Sequence, residues 1–182
     1  GDPPTPVAPP TKNAASPPAA PPTKDTASDS QSAAQAPPGY RMVNDPAGFS
    51  MAVPEGWIRQ VNNGQIDYTP DNGRHLLRIG TIPSATSSVY DHFLELEGSV
   101  GKYTDYRRLR LDENAFRGRP GAVWEFTWTS VQDHPGPRHG IDQGYIADNG
   151  TEYDLYAASP EEDWGTVLRH FQTMLDTWRL NP

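Results

Sequence analysis

Residues 122–131, with the sequence AVWEFTWTSV, constrain the fold of this chain more than any other stretch. Trp124, Phe126 and Trp128 alternate with smaller or polar residues, and a period of two is typical of a β-strand with one face on a core. Each of these aromatic side chains can bury roughly 150–250 Å². The alternation therefore predicts a central strand whose aromatic face is covered by a helix.

Shorter strand patterns, separated by turn residues, lie on both sides of the central strand. We predict further strands at residues 40–44, 49–53, 57–61, 65–69, 75–82, 103–111, 138–147 and 151–158. The sequences Asn-Asn-Gly at 62–64 and Asp-Asn-Gly at 148–150 favour tight hairpin turns. Residues 114–121 predict a longer turn, with Gly and Pro, into the central strand. Consecutive hairpins of this kind predict a mainly antiparallel, twisted sheet.

The first of two predicted helices covers residues 89–100. Its apolar residues recur at helical spacing and form a single stripe. Ser87 or Ser88 can cap its first turn, and Gly101 can end it.

The second predicted helix begins at Ser159. Ser159 is placed to cap the helix, Pro160 suits the first helical position, and Glu162 completes a capping box. An apolar stripe follows, formed by Trp164, Val167, Leu168, Phe171, Met174, Leu175 and Trp178. We expect this final helix to pack on the aromatic face of the central strand. The fold class is therefore predicted to be α+β, an antiparallel sheet flanked by helices.

Residues 1–39 differ from the rest of the chain in composition. They contain no aromatic residue, eleven of the 20 prolines, and a repeat in which residues 8–16 recur as residues 20–28. Such a segment cannot bury enough apolar surface to offset its conformational entropy. We predict a disordered Pro-rich linker at residues 1–39 and one globular domain at residues 40–182. A semi-rigid spacer of this kind is typical of a domain held away from an anchor.

The charge of the chain excludes several classes of partner. The formal net charge is −8, of which residues 1–39 carry −1, so −7 remains on the domain. An acidic domain is not expected to bind nucleic acid. The absence of Cys excludes disulfides and thiolate chemistry, and it suits an extracytoplasmic location. No apolar run of about 18 residues is present, and the chain begins with Gly, so we expect any membrane anchor to lie in a preceding segment.

Motifs for catalysis and metal binding are missing from the sequence. The five histidines are His75, His92, His134, His139 and His170, and none lies in a recognisable catalytic or metal-ligand pattern. The sequence also lacks the G-x-S-x-G motif of α/β-hydrolases. We therefore predict no catalytic residue, no metal site and no cofactor, and we rank an unrecognised hydrolase as the least favoured function.

A cluster of arginines is the most unusual charge feature of the domain. Arg108 and Arg110 are predicted to share one face of a strand, and Arg117 and Arg119 to lie in the turn that follows. Guanidinium groups suit carboxylate or phosphate. We predict an anion-binding patch at these four residues. The alternative is a solvated surface balanced by neighbouring acidic residues.

Three stretches together carry a resemblance to a known family. They are GFSMAVPEGW at residues 48–57, FRGRPGAVWEF at 116–126, and GTEY at 150–153 leading to Ser159-Pro160. The domain resembles the C-terminal extracytoplasmic domains of actinobacterial membrane-anchored serine/threonine protein kinases, and it is similar to the PsbP-like α/β/α sandwich. The resemblance implies a domain without catalytic activity, the kinase domain lying elsewhere in the parent protein.

Two functions remain open on these grounds. The first is a sensor that binds an extracytoplasmic ligand or protein, such as a cell-wall fragment, and that signals to a kinase. The alternative is a secreted lipoprotein or a scaffold domain of the same fold. A homodimer formed through an exposed sheet edge is compatible with either function.

Overall fold

The computed structural model describes residues 36–182, which form two β-sheets and two α-helices. Residues 1–35, which hold most of the predicted linker, lie outside the described residues. The first strands are β1 Tyr40–Asp45, β2 Phe49–Pro54, β3 Ile58–Asn62, β4 Gln65–Thr69 and β5 Leu76–Ile82. The later strands are β6 Arg107–Phe116, β7 Arg119–Ser130, β8 Gly136–Ile146, β9 Glu152–Pro160 and β10 Arg179–Leu180. The helices are α1 Val89–Val100 and α2 Trp164–Thr177.

The strand order confirms the predicted fold class. Seven strands form one sheet in the order β3-β4-β5-β9-β8-β7-β6, and every neighbouring pair is antiparallel. A small antiparallel sheet, β1-β2-β10, lies apart from it. The connection of β5 to β6 carries α1, and the connection of β9 to β10 carries α2. The fold is therefore α+β, with helices covering a large antiparallel sheet.

The central strand β7 has the predicted alternation, but a different helix covers its aromatic face. Trp124, Phe126 and Trp128 are buried in one cluster with Val89 and Phe93 of α1. The Phe93 and Trp124 ring centroids lie 5.7 Å apart. The expectation that the final helix packs on this face is wrong. The periodicity of a strand separates its two faces but does not say which helix lies on each.

The final helix α2 lies on the opposite face of the large sheet. Val167, Phe171 and Met174 of α2 belong to a second core cluster, together with Val123 from the other side of β7. The small sheet packs against the same helix, since the Thr177 hydroxyl accepts a hydrogen bond of 2.8 Å from the Ala52 backbone N–H. The domain is thus built as two cores separated by one sheet.

The start of α2 also differs from the prediction. Ser159 lies inside β9, and its hydroxyl donates to the Pro160 carbonyl instead of capping a helix. A 3₁₀ turn at Glu161–Asp163 follows without a side-chain cap, and α2 begins at Trp164. Strand pairing with β8 continues to Pro160, because Arg138 lies opposite it. The sheet therefore overrides the local capping signal.

The hairpin of β6 and β7 is longer and tighter than the sequence predicts. Strand β6 extends to Phe116, and only Arg117 and Gly118 separate it from β7. Both turn residues have positive φ, 57° and 76°, as a two-residue type I′ turn requires. The prediction of a long turn at residues 114–121 is wrong because Arg, which rarely adopts positive φ, occupies the first turn position.

Candidate functional site: an arginine-lined cleft beside the β6–β7 turn

The structure separates the four predicted arginines into two groups. A β-bulge between Arg108 and Arg110 shifts the register of β6, so that Arg108 lies opposite Phe126 and Arg110 opposite Glu125. These two partners point to opposite faces of β7, and the two arginines therefore do not share a face. The prediction that they do is wrong, because one extra residue in the strand reverses the alternation beyond it.

Arg108 and Arg110 are both engaged within the domain. Arg108 donates to both carboxylate oxygens of Glu97 on α1, at 2.6 and 3.0 Å. The hydrogen bond from Arg108 lowers the pKa of Glu97, and a further one from the Tyr106 hydroxyl acts in the same direction. Arg110 lies 3.4 Å from Glu125 on the other face. These pairs serve to hold α1 and β7 against the edge strand β6.

Arg117 and Arg119 lie together at the other end of the hairpin, beside a cleft of about 380 Å³. The cleft is bounded by the β6–β7 turn, the β8–β9 turn and β10. Its polar and aromatic lining is formed by Arg117, Arg119, Tyr145, Asp148, Asn149, Trp178 and Arg179. Three arginines thus line one small cleft in a domain of net charge −7.

The neighbours of Arg117 and Arg119 fix their orientation and leave donors free for a ligand. Arg117 donates from one terminal nitrogen to the carbonyls of Leu175 and Asp176, at the C-terminus of α2. Its guanidinium also lies 5.3 Å from the centre of the Phe116 ring. Arg119 donates from Nε to the Ile146 carbonyl at 3.0 Å. A guanidinium has five N–H donors, so both groups retain donors for an anion.

Asp148 is the acidic residue of the cleft. Its carboxylate lies 3.3 Å from Nη1 of Arg119, and its side chain is 93% exposed. An ion pair this exposed is worth at most about 1 kcal/mol. Asp148 therefore pairs only weakly with the guanidinium of Arg119. An anion that binds this guanidinium more strongly can replace Asp148.

The floor of the cleft is aromatic and rigid. Trp178 is buried, stacks on Phe49 at 4.9 Å between ring centroids, and donates from Nε1 to the Tyr145 hydroxyl at 2.7 Å. Burial raises the pKa of Tyr145, so this hydroxyl stays protonated at neutral pH. The apolar stripe in the sequence predicts that Trp178 lies in the core, and the structure confirms this. The stripe does not predict that Arg179 lines the cleft. The sequence feature that marks this position is the pair Trp178-Arg179 directly after α2.

The histidines of the described part make no pair of the kind that serine hydrolases use. Their hydrogen bonds within residues 36–182 run to carboxylates, to the Tyr40 hydroxyl and to a backbone carbonyl. His139 is typical, because it lies between Glu125 and Glu161 at 2.6 and 2.8 Å and stacks on Trp164. These contacts link β7, β8 and the start of α2.

A second polar group lies beneath α1, away from the cleft. His92, Glu152 and Asp154 offer ligand atoms that all lie within 4.8 Å of one another, which makes them the residues that could hold a metal ion. The sequence gives no sign of this group, because His92 is 60 residues from Glu152 and only the fold joins them. Burial, with the charge of Glu152 as the next cause, raises the pKa of Asp154 well above its usual range.

The fold, a large antiparallel sheet with a helix on each face, is PsbP-like. The chain is similar to cyanobacterial PsbP (CyanoP) from Synechocystis sp. PCC 6803, with a TM-score of 0.59 and 12% identity. That similarity covers 78% of this chain and 92% of CyanoP.

Two further solved structures share the fold. The Ran-binding protein Mog1p of Saccharomyces cerevisiae matches with a TM-score of 0.55 and 11% identity, over 78% of this chain and 95% of Mog1p. LpqN of Mycobacterium tuberculosis, described as involved in cell envelope biogenesis, matches with a TM-score of 0.52 and 14% identity, over 79% of this chain and 91% of LpqN. At such low identity these likenesses show the fold alone.

The chain belongs to the family described as the serine/threonine kinase C-terminal domain, whose sequence model matches residues 41–180. The match is to the C-terminal domain and not to the catalytic domain of the kinase, so the chain is an accessory domain. No curated protein matches the chain. Among residues 36–182, no helix is long and apolar enough to cross a membrane.

Proposed function

We propose that this domain is the extracytoplasmic sensor of a membrane-anchored serine/threonine kinase, and that it binds an acidic cell-wall fragment in the arginine-lined cleft. The observation that carries the proposal is the meeting of Arg117, Arg119 and Arg179 over an aromatic floor. Arg108 and Arg110, which the sequence placed in the same patch, are not part of this site, because Glu97 and Glu125 engage them.

The chemistry of the cleft favours a carboxylate or phosphate attached to an apolar or sugar-like body. Guanidinium forks recognise both anions through paired hydrogen bonds. Arg117 is held in place by the carbonyls at the end of α2, so it is oriented before a ligand arrives. Such preorganisation lowers the entropic cost of binding. The apolar surfaces around Trp178 and Leu180 supply contact for the rest of the ligand.

Family membership and structural likeness support an envelope role. The family is named for the kinase to which this domain is joined. LpqN, which shares the fold, is described as involved in cell envelope biogenesis. A ligand from the cell envelope is in line with the description of LpqN, and the net charge of −7 disfavours a nucleic acid.

The cleft is linked to the part of the domain that follows the predicted linker. Arg179 lies in β10 and pairs with Ser50 of β2, and β2 pairs along its length with β1. The Ser50 hydroxyl also donates to the side chain of Asn181 at 2.7 Å. A ligand held by Arg179 therefore acts on the small sheet at which the linker enters the domain. Signalling requires that the ligand favour one arrangement of the receptor over another.

A homodimer is one arrangement that a ligand can favour, and it remains a prediction. The large sheet has two edge strands, β3 and β6. Strand β6 exposes mainly charged side chains, which disfavour edge-to-edge pairing, whereas β3 exposes Ile58 and Val61. We expect any strand-mediated dimer to form through β3.

Binding of wall fragments tests the proposal directly. Isothermal titration of muramyl dipeptide, which carries one free carboxylate, and of a glycerol-phosphate oligomer identifies the anion that the cleft prefers. We expect Arg117→Ala with Arg119→Ala to abolish the affinity, because both fixed guanidinium groups are lost. Arg110→Ala is the matched control, since it removes an exposed arginine outside the cleft, and it is expected to bind like wild type. Unchanged binding by the double variant would contradict the proposal.

A further inference from the structure

Three carboxylates are buried on the face of the large sheet that α1 covers. Asp142, Glu152 and Asp154 are each 1% exposed or less. Neither carboxylate oxygen of Asp142 or of Asp154 has a hydrogen-bond partner of ordinary geometry in the described structure, although Glu152 lies close enough to Asp154 to raise its pKa. Buried carboxylates normally have partners, because removing an unpaired charge from water is very unfavourable. A missing partner in this position points to a bound group that satisfies these oxygens.

The cationic side chains nearby do not balance the three carboxylates. His92 reaches Glu152 with Nδ1 at 2.7 Å from the carboxylate. Arg78 is the next cation, but it already donates two hydrogen bonds to Asp67, at 2.6 and 2.9 Å. When all three carboxylates are ionised, the group holds more negative than positive charge, and Asp154 has no counter-ion of its own.

The positions of these residues suit a single ion. Glu152 and Asp154 are two residues apart on β9, so they point to the same face of the sheet. His92 comes down from α1, and the ligand atoms of all three lie within 4.8 Å of one another. Gly144, opposite Asp154 on β8, leaves room for this approach. A Cβ at that position would lie 2.5 Å from an Asp154 oxygen and 2.6 Å from Val89 of α1.

We propose that His92, Glu152 and Asp154 bind a divalent transition-metal ion, of the class of Mn²⁺ or Zn²⁺, and that Asp142 adds negative charge to the site. One imidazole with two carboxylates is a ligand set for such ions, whereas Ca²⁺ and Mg²⁺ favour all-oxygen sets. The ion would join α1 to β9 and neutralise the buried carboxylates. A separate cleft of about 650 Å³ at the start of α1 is lined by Val89 and by Ile146, which pairs with Glu152.

Metal binding by the full chain tests this inference without any wall ligand. The chelator-treated protein is equilibrated with Mn²⁺ or Zn²⁺, and the bound ion is measured by dialysis with metal analysis and by the loss of the free Mn²⁺ spin-resonance signal. We expect one ion per chain and a higher thermal unfolding midpoint. Asp154→Asn and His92→Gln should each remove the stoichiometric ion and the rise in the midpoint, while the control Asp91→Asn, on the exposed side of α1, should keep both.

The two site variants also separate a bound ion from a proton held between the carboxyl groups. Without a metal site, Asp154→Asn replaces a buried carboxyl group that keeps its proton, so it changes the midpoint equally with and without Mn²⁺. That result, or equal metal binding by wild type and both variants, would overturn the inference. If Asp154→Asn fails to fold, His92→Gln decides the question, because His92 lies at the margin of the buried group and is partly exposed.

Discussion

At the scale of single residues, the neighbours of each arginine decide what that arginine can do. Arg108 is paired with Glu97, and Arg110 lies beside Glu125. Arg117 is held by helix carbonyls, and Arg119 by a carbonyl and an exposed aspartate. All four look alike as a charge cluster in the sequence. Only Arg117 and Arg119 of the four lie beside the cleft.

The pair of Glu97 and Arg108 makes stability depend on acid pH. The hydrogen bond from Arg108 lowers the pKa of Glu97 below its ordinary value of 4.5. A carboxyl with a depressed pKa stabilises the fold above its unfolded-state pKa and loses that contribution as pH falls through the folded-state pKa. Arg108 is 43% exposed, so the contribution is at most about 1 kcal/mol.

We therefore expect Glu97→Gln to lower the free energy of unfolding at pH 7 by no more than about 1 kcal/mol. The difference from wild type should shrink as pH falls from 5 towards 3, as measured by urea unfolding. Glu95→Gln, an exposed change on the same helix, serves as the control. A difference that stays constant over this range would contradict the assigned role of Glu97.

At the scale of elements, the sequence defines the helices and strands better than it defines their partners. The sequence predicts helix α1 at residues 89–100, and the structure has the same bounds. Ser88 caps the start of the helix by accepting a hydrogen bond from the Asp91 backbone N–H. The face that each helix covers was not predictable from its stripe. Two apolar stripes and two apolar strand faces allow either pairing, and only long-range packing selects one.

A double-mutant cycle tests the pairing of α1 with the aromatic face of β7. Phe93→Leu and Trp124→Phe each alter a ring in contact, so we expect a coupling energy of about 0.5–1.5 kcal/mol between them. Phe171→Leu with Trp124→Phe is the matched cycle across the sheet. Those two residues belong to separate cores, so we expect coupling near zero. Equal coupling in the two cycles would show that the helices are placed wrongly.

At the scale of the whole molecule, the PsbP-like fold and the choice of Arg117 and Arg119 were predictable from the sequence, whereas the assembly of the two sites was not. Turn residues and strand alternation lead to the antiparallel sheet, and family-like stretches at residues 48–57 and 116–126 lead to the fold. The cleft depends on a two-residue turn with Arg at positive φ, which turn statistics do not favour. The buried group at His92 joins two elements that the sequence keeps far apart.

Under the proposed function, the charge distribution of the whole domain makes binding in the cleft sensitive to salt. A net charge of −7 repels a free anion at long range, while the three arginines attract it at short range. Ionic strength screens exposed charges beyond about 8 Å at 0.15 M. A ligand held by the cleft must therefore depend on direct contact with the guanidinium groups. Binding should then change the signals of the individual side chains that the ligand contacts.

The most direct test is a titration of the ¹⁵N-labelled domain with the wall fragment that binds best, followed by nuclear magnetic resonance of side-chain N–H groups. We predict shifts of the Nε–H signals of Arg117, Arg119 and Arg179 and of the indole N–H of Trp178. The signals of Arg108 and Arg110 should stay unchanged. Shifts confined to Arg108 and Arg110, or no shift at a saturating concentration of the fragment, would contradict the proposal that the cleft is the sensor site.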